Sequence, residues 1–462
     1  MIDGRLGNPG FPVTVYAWMR KRAAHLLFMA GVGMAAACNW SGSKPTEPPL
    51  FPTVPSGPRP VISMSLAFGE SPIEGEVRLS PSSETANWLY AVDVDEDGAA
   101  DHSGTLTREV EFAYRFSTPG VHGVRISLTG PTGVEAVTVP AIVNDPTAVR
   151  TLAQRITGGA ANAIFEGITT NRAGTSLFVA DFFNSTIYRL DPGDLRPLAP
   201  HLVLPRIEDD RGFVAGGPEG LTVTPSDTLL LVAHKLFGLS VVAIPALEPR
   251  RSLRMAGEYF IQAIDDVDAL STARGSLDLI DTNTGGTVRG LAVPNTWHFA
   301  VSLPSQIVAA LNRSGPAAVH LANLADLQQI ARVELPGAIE ADVVAFDPAG
   351  DRLYVMGRDA QGSRFYLVDV PSRSVLLNLP LGLGACGAFC VANPVATSRN
   401  GRFVAMEQGG GVYFIDTTLD LPRYYLGTRM ANSGLSVAAS PTEEAFYLLQ
   451  PDGFVRKVAL TP

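Results

Sequence analysis

The chain has 462 residues, of which 46% are hydrophobic and 17% charged, and its formal net charge is −10 at pH 7. This apolar content excludes wholesale disorder, and the length exceeds what one small core serves, so two or three domains are expected. An acidic chain argues against nucleic-acid partners, which need basic groups to displace counterions from phosphates. With 45 glycines and 35 prolines, turns are frequent and long helices few.

The N-terminal stretch reads as an export signal beginning at Met19. Arg20, Lys21 and Arg22 form a positive region, and Ala23 to Ala37 is a 15-residue apolar run broken only by His25. That run is too short to span a bilayer but suits a signal sequence. It ends in Met34-Ala35-Ala36-Ala37-Cys38, where small residues before a cysteine resemble the lipobox of bacterial lipoproteins. The resemblance implies lipidation of Cys38, loss of everything before it, and a membrane anchor. Ala35 departs from the leucine usual there. Ordinary secretory cleavage and an uncleaved anchor remain the alternatives. Asn39 after the cysteine favours, by the same resemblance, the outer membrane of a Gram-negative envelope. Residues 1–18 fit no part of a signal.

Asn39 to Pro60 holds seven prolines and is expected to be an extended tether. Residues 61–145 then read as a small β-sandwich. Glu76-Val77-Arg78-Leu79 and Val110 to Phe116 alternate polar and apolar side chains, the mark of half-buried strands. Trp88-Leu89-Tyr90-Ala91-Val92-Asp93, an Asp/Gly loop, and Tyr114-Arg115-Phe116-Ser117-Thr118-Pro119-Gly120-Val121 resemble the PKD-type immunoglobulin-like domain.

Residues 146–462 repeat. Similar apolar segments begin near Gly167, Gly220, Gly290, Val343, Pro394 and Gly434, spaced 53, 70, 53, 51 and 40 residues apart. Each is followed by further short strands, and such periods mean β-propeller blades. The run from Thr175 to Leu190 is similar to NHL and YVTN-type repeats. The all-β fold expected is a sandwich followed by a six-bladed propeller, with residues 247–287 as an insertion. A cryptic seventh blade is the alternative. The segment Ala148 to Ala153 is expected to complete the last blade and close the ring.

In such a ring, residues opening each innermost strand converge at one channel mouth. Here these are Glu166, Glu219, Arg289, Asp342, Asn393 and Ser433, a set able to hold a cation or a polar ligand; the bland alternative is a solvated mouth neutralised by Arg289. Phe165-Glu166-Gly167 also faintly resembles the start of gluconolactonase-type six-bladed hydrolases, which use a glutamate on a metal. In the sandwich, Asp93, Asp95, Asp97 and Asp101 with Gly98 match a calcium loop in spacing, with Gly104 where a bidentate glutamate belongs. Calcium is thus the one cofactor suggested, and a plain acidic turn competes with it. Cys386 and Cys390 form an even pair that export would oxidise to a local disulfide. His234 and His298 read as structural, and Trp297 as packed rather than stacked on a sugar.

Two functions follow. One is a membrane-tethered binding or scaffold module for a protein, glycan or small polar ligand, and a periplasmic assembly accessory is a variant of it. The other is a metal-dependent hydrolase of lactones or esters at the channel mouth.

Overall fold

The computed structural model describes residues 61–460 apart from 65–67, 71, 82–86, 131–132, 145–148, 157–163, 209–211, 213–214, 255–259, 274, 314, 360–362, 382–393, 409–410, 419 and 428–434. The signal and lipidation site at Cys38, the tether, Cys386, Cys390, Asn393 and Ser433 lie outside the described residues.

Alternation at period two builds the first pair of sheets. Strands Ile73–Ser80 and Val110–Phe116 pair antiparallel, so Val77 lies opposite Phe112 and both turn inward. With Val61–Met64 they make a three-stranded sheet. A five-stranded sheet contains Trp88–Asp93, His102–Leu106, Gly120–Gly130, Gly133–Asn144 and the short parallel strand Phe68–Glu70. Val77, Leu79, Trp88, Phe112, Tyr114 and Ile126 from both sheets share one apolar core.

The repeats form seven four-stranded antiparallel sheets among the described residues. In chain order they span 165–203, 218–253, 261–292, 296–334, 340–380, 395–427 and 436–460, and are called blades 1 to 7. Each blade runs from an innermost first strand to an outermost fourth. Blade 7 takes its fourth strand from Val149–Arg155, which pairs with Phe454–Leu460 over seven residue positions, as expected for closure. Residues 247–287 are therefore not an insertion. They supply the fourth strand of blade 2, Glu248–Leu253, and most of blade 3. Among the described residues the sheets number seven, against the six units counted in the sequence.

An apolar core lies between every neighbouring pair of blades. Leu231 and Val241 meet Ala269 and Ile280 between blades 2 and 3; Leu270 and Leu279 meet Val308 and Ala310 between blades 3 and 4. Ile168 and Val179 meet Tyr447 and Val455 between blades 1 and 7, so the series closes on itself. The middle strands are apolar on both faces because each face packs against a neighbouring sheet, as in Leu239–Ala243 and Gly411–Asp416, which are buried throughout. The turn before the fourth strand repeats too. Leu195, Leu247 and Leu327 adopt φ of 61°, 57° and 55°, a backbone that a branched residue rarely takes. Each of these leucines is buried in an inter-blade core, which offsets the strain.

Candidate functional site

The innermost strands carry a shared irregularity. In blades 1, 2, 4 and 5 the pairing of first and second strands slips near its start, between Phe165 and Ile168, Pro218 and Gly220, Thr296 and Phe299, and Ala341 and Val343. A bulge re-aims the side chain of its extra residue. Matching the registers puts Glu166, Glu219, Trp297 and Asp342 at equivalent places, so three of the six residues expected at the channel mouth do occupy one ring position. Trp297 is the fourth occupant, and it went unrecognised because the blade 3 and blade 4 boundaries were misplaced.

Arg289 does not belong to this ring. It lies in Thr287–Ala292, the exposed fourth strand of blade 3, where its guanidinium donates to the Ala325 carbonyl. The pattern Val-Arg-Gly-Leu-Ala imitates a first strand in sequence, but this strand buries only Leu291. The innermost strand of blade 3 is Ile261–Ala263.

The carboxyls of the ring are buried rather than solvated. Glu219 is 3% exposed and faces Glu166. Lys235 Nζ lies 3.4 Å from Glu219 Oε1, and the Oε2 atoms of both glutamates are buried with no hydrogen-bond donor among the described residues. Burial first, and the neighbouring Glu166 second, push the Glu219 carboxyl well above the ordinary range, with Lys235 opposing. Two facing carboxyls and one ammonium are neutral when the pair retains one proton. Across the ring, Arg313 Nε lies 3.8 Å from Asp342 Oδ1 and 3.5 Å from Glu340 Oε2. The Arg313 guanidinium also sits 4.3 Å from the Trp297 ring centroid, a cation–π contact. Arg358 Nη2 meets Glu340 at 2.5 Å. Lys235, Arg313 and Arg358 were missed by sequence reasoning, yet each follows the last residue of a second strand or ends one, so aligning those strands as well would have revealed them.

A cavity of about 500 Å³ runs along the innermost strands, from His298 in the blade 4 bulge to the strand ends at Ser302, Asp347 and Thr397. Its wall is mixed, with Leu303, Pro304, Val395 and Ala396 among the apolar residues and Gln262, His298, Asp347 and Thr397 among the polar ones. His298 is 4% exposed. Its Nδ1 accepts the Val344 amide at 3.3 Å, and burial lowers its pKa to about 3. The imidazole is neutral at pH 7, and with Nδ1 accepting, Nε2 carries the proton. His234 has the structural role expected, with Nε2 2.9 Å from Ser240 Oγ and Nδ1 3.3 Å from the Gly216 carbonyl. Trp297 packs under Arg313 and edge-on to Phe260.

In the sandwich, carboxylate oxygens of Asp93, Asp95 and Asp101 lie within 4.8 Å of one another, and Asp97 is not in the group. Asp93 accepts the amides of Glu96 and Gly98, and Asp101 accepts that of Val94, hydrogen bonds that an acidic turn makes for itself. Glu96 leaves the loop to meet His122 Nδ1 at 2.8 Å.

No family model matches the chain. No curated protein matches it either. Among solved structures, hydrazine synthase of Kuenenia stuttgartiensis aligns with a TM-score of 0.53 at 15% identity, covering 67% of this chain and 98% of that one. The β-propeller domain of Cps50 (Swd1) from Myceliophteria thermophila aligns with a TM-score of 0.50 at 14% identity, covering 66% and 100%. The repeat half of this chain is a β-propeller. At such identities the likeness is one of fold alone.

Proposed function

We propose that this chain is a binding module of the bacterial envelope, lipid-tethered through Cys38 and taking its ligand in the propeller channel. The tether rests on the lipobox-like sequence and the proline-rich stretch after it, and the PKD-type reading of the sandwich rests on its aromatic and Pro-Gly spacing. The observation that carries the binding reading is the cavity of about 500 Å³ on the channel, within the range of small-molecule sites. The charged groups at the bulged end are committed to one another, Lys235 to Glu219 and Arg313 to Asp342 and Glu340. They brace the ring and leave the opposite end for recognition.

A ligand-observed NMR screen of the full chain with a fragment library tests the reading. Fragments are expected to bind, and to be lost on Thr397→Trp, which fills the cavity from its wall. Absence of hits, or hits indifferent to that substitution, would overturn it. The hydrolase alternative predicts turnover of a simple lactone such as dihydrocoumarin with calcium supplied, abolished by Glu166→Ala and by Asp342→Ala. We expect no turnover in any of the three proteins. Mass spectrometry of membrane-extracted protein tests the anchor, with a diacylglyceryl adduct on Cys38 expected and absent after Cys38→Ser.

A further inference from the structure

We infer that the channel cavity is selective for an uncharged, largely apolar molecule carrying one hydrogen-bond acceptor, such as a ketone or ester carbonyl, which His298 Nε2–H receives. The inference rests on the reading of the channel as a ligand site and specifies its chemistry.

His298 is held from several sides. It is the second of two residues left between the paired positions Thr296 and Phe299, and it lines the cavity. The backbone amide of Val344, from the innermost strand of the next blade, fixes Nδ1 as the acceptor. Phe260 closes one side of the imidazole edge-on, with ring centroids 4.8 Å apart. The ring is thus clamped by three blades and its tautomer set by main chain, which is how a site holds a donor in one place. A buried donor of this kind costs free energy wherever it goes unsatisfied.

The rest of the wall decides the ligand's character. Leu303, Pro304, Val395 and Ala396, which are not sealed into the cores between blades, present hydrocarbon, favouring an apolar body. The one ionisable carboxylate of the wall, Asp347, already accepts the amides of Gly350 and Arg352 at 2.9 Å each through Oδ1. His298 stays neutral across the physiological range. A ligand anion would find no fixed positive charge among the described lining residues, and an organic cation would have to compete for a carboxylate already engaged by main chain.

Four probes of one shape separate the possibilities: acetophenone, ethylbenzene, benzoate and benzylammonium, titrated into the full chain by ligand-observed NMR. Acetophenone is expected to bind about five- to tenfold more tightly than ethylbenzene, the ratio one satisfied hydrogen bond supplies. It should also shift the His298 Nε2–H proton downfield, and benzoate and benzylammonium should bind more weakly than either neutral probe. His298→Phe should make acetophenone and ethylbenzene equal while leaving ethylbenzene bound, and His298→Gln, which keeps a donor, should retain part of the preference. Equal binding of the two neutral probes to the natural chain would overturn the selectivity while leaving the channel a ligand site. Tightest binding by either charged probe would also overturn it. No binding by any probe, with fragments of other shapes still displaced by Thr397→Trp, defeats this inference alone; no binding of any kind defeats the channel reading beneath it.

Discussion

Arg313 offers the sharpest test of the bulged ring. Its guanidinium serves Asp342, Glu340 and the face of Trp297 at once, and Asp342 is 2% exposed. At 3.8 Å and an effective dielectric near 20, the gross attraction to Asp342 is about 4 kcal/mol. Arg313 is itself 22% exposed at its side chain, so part of that attraction is screened. Arg313→Met keeps the aliphatic stem over Trp297 but takes away a cation that faces the buried carboxylate, and we expect a loss of about 2–3 kcal/mol. In a ring of this size that is a fall in Tm of roughly 3–5 °C. Adding Asp342→Asn removes the carboxylate charge that Arg313 faced, so the double variant should recover about half of the loss. The readout is thermal unfolding by far-ultraviolet circular dichroism at pH 7 and low salt. An Arg313→Met melt within a degree of the natural chain would refute the reasoning. So would a double variant whose loss equals the sum of the two single losses, since coupled groups in contact do not add.

The remaining predictions concern neighbouring features. A Cβ at Gly167 would lie 2.2 Å from the Glu219 carbonyl oxygen, so Gly167→Ala should cost about 1–3 kcal/mol in the same melts, whereas Gly286→Ala, which meets only the Thr284 hydroxyl at 3.3 Å, should cost under about 0.5. The folded Glu219 carboxyl titrates above its unfolded value, so its contribution to stability is whole below the ordinary carboxyl range and declines as pH rises toward the folded value. Glu219→Gln should therefore match the natural chain near pH 4 and gain on it as pH rises to 8. His298 titrates below its unfolded value, so stability tied to it is whole above pH 6.5 and declines as pH falls toward about 3; its imidazole carbon proton should not shift between pH 8 and 5. Calcium analysis of the purified chain decides the Asp93 loop: a bound cation should raise Tm with calcium concentration, and Asp93→Ala should abolish the rise.

Sequence alone determined what depends on local pattern. Period-two alternation marked Val110–Phe116 as a half-buried strand. The repeat spacing pointed to blades, and Glu166, Glu219 and Asp342 were recognisable because each opens an innermost strand. Strand rank within a blade was decided only by tertiary packing. Val288-Arg289-Gly290-Leu291 and Val343-Val344 look alike as text, but one is an exposed fourth strand and the other a buried first. The difference lies in which sheets flank them, and no window of residues contains that information. The pairing of Arg313 with Asp342, and of the Val344 amide with His298, likewise joins neighbouring blades, so those contacts exist only once the ring has closed.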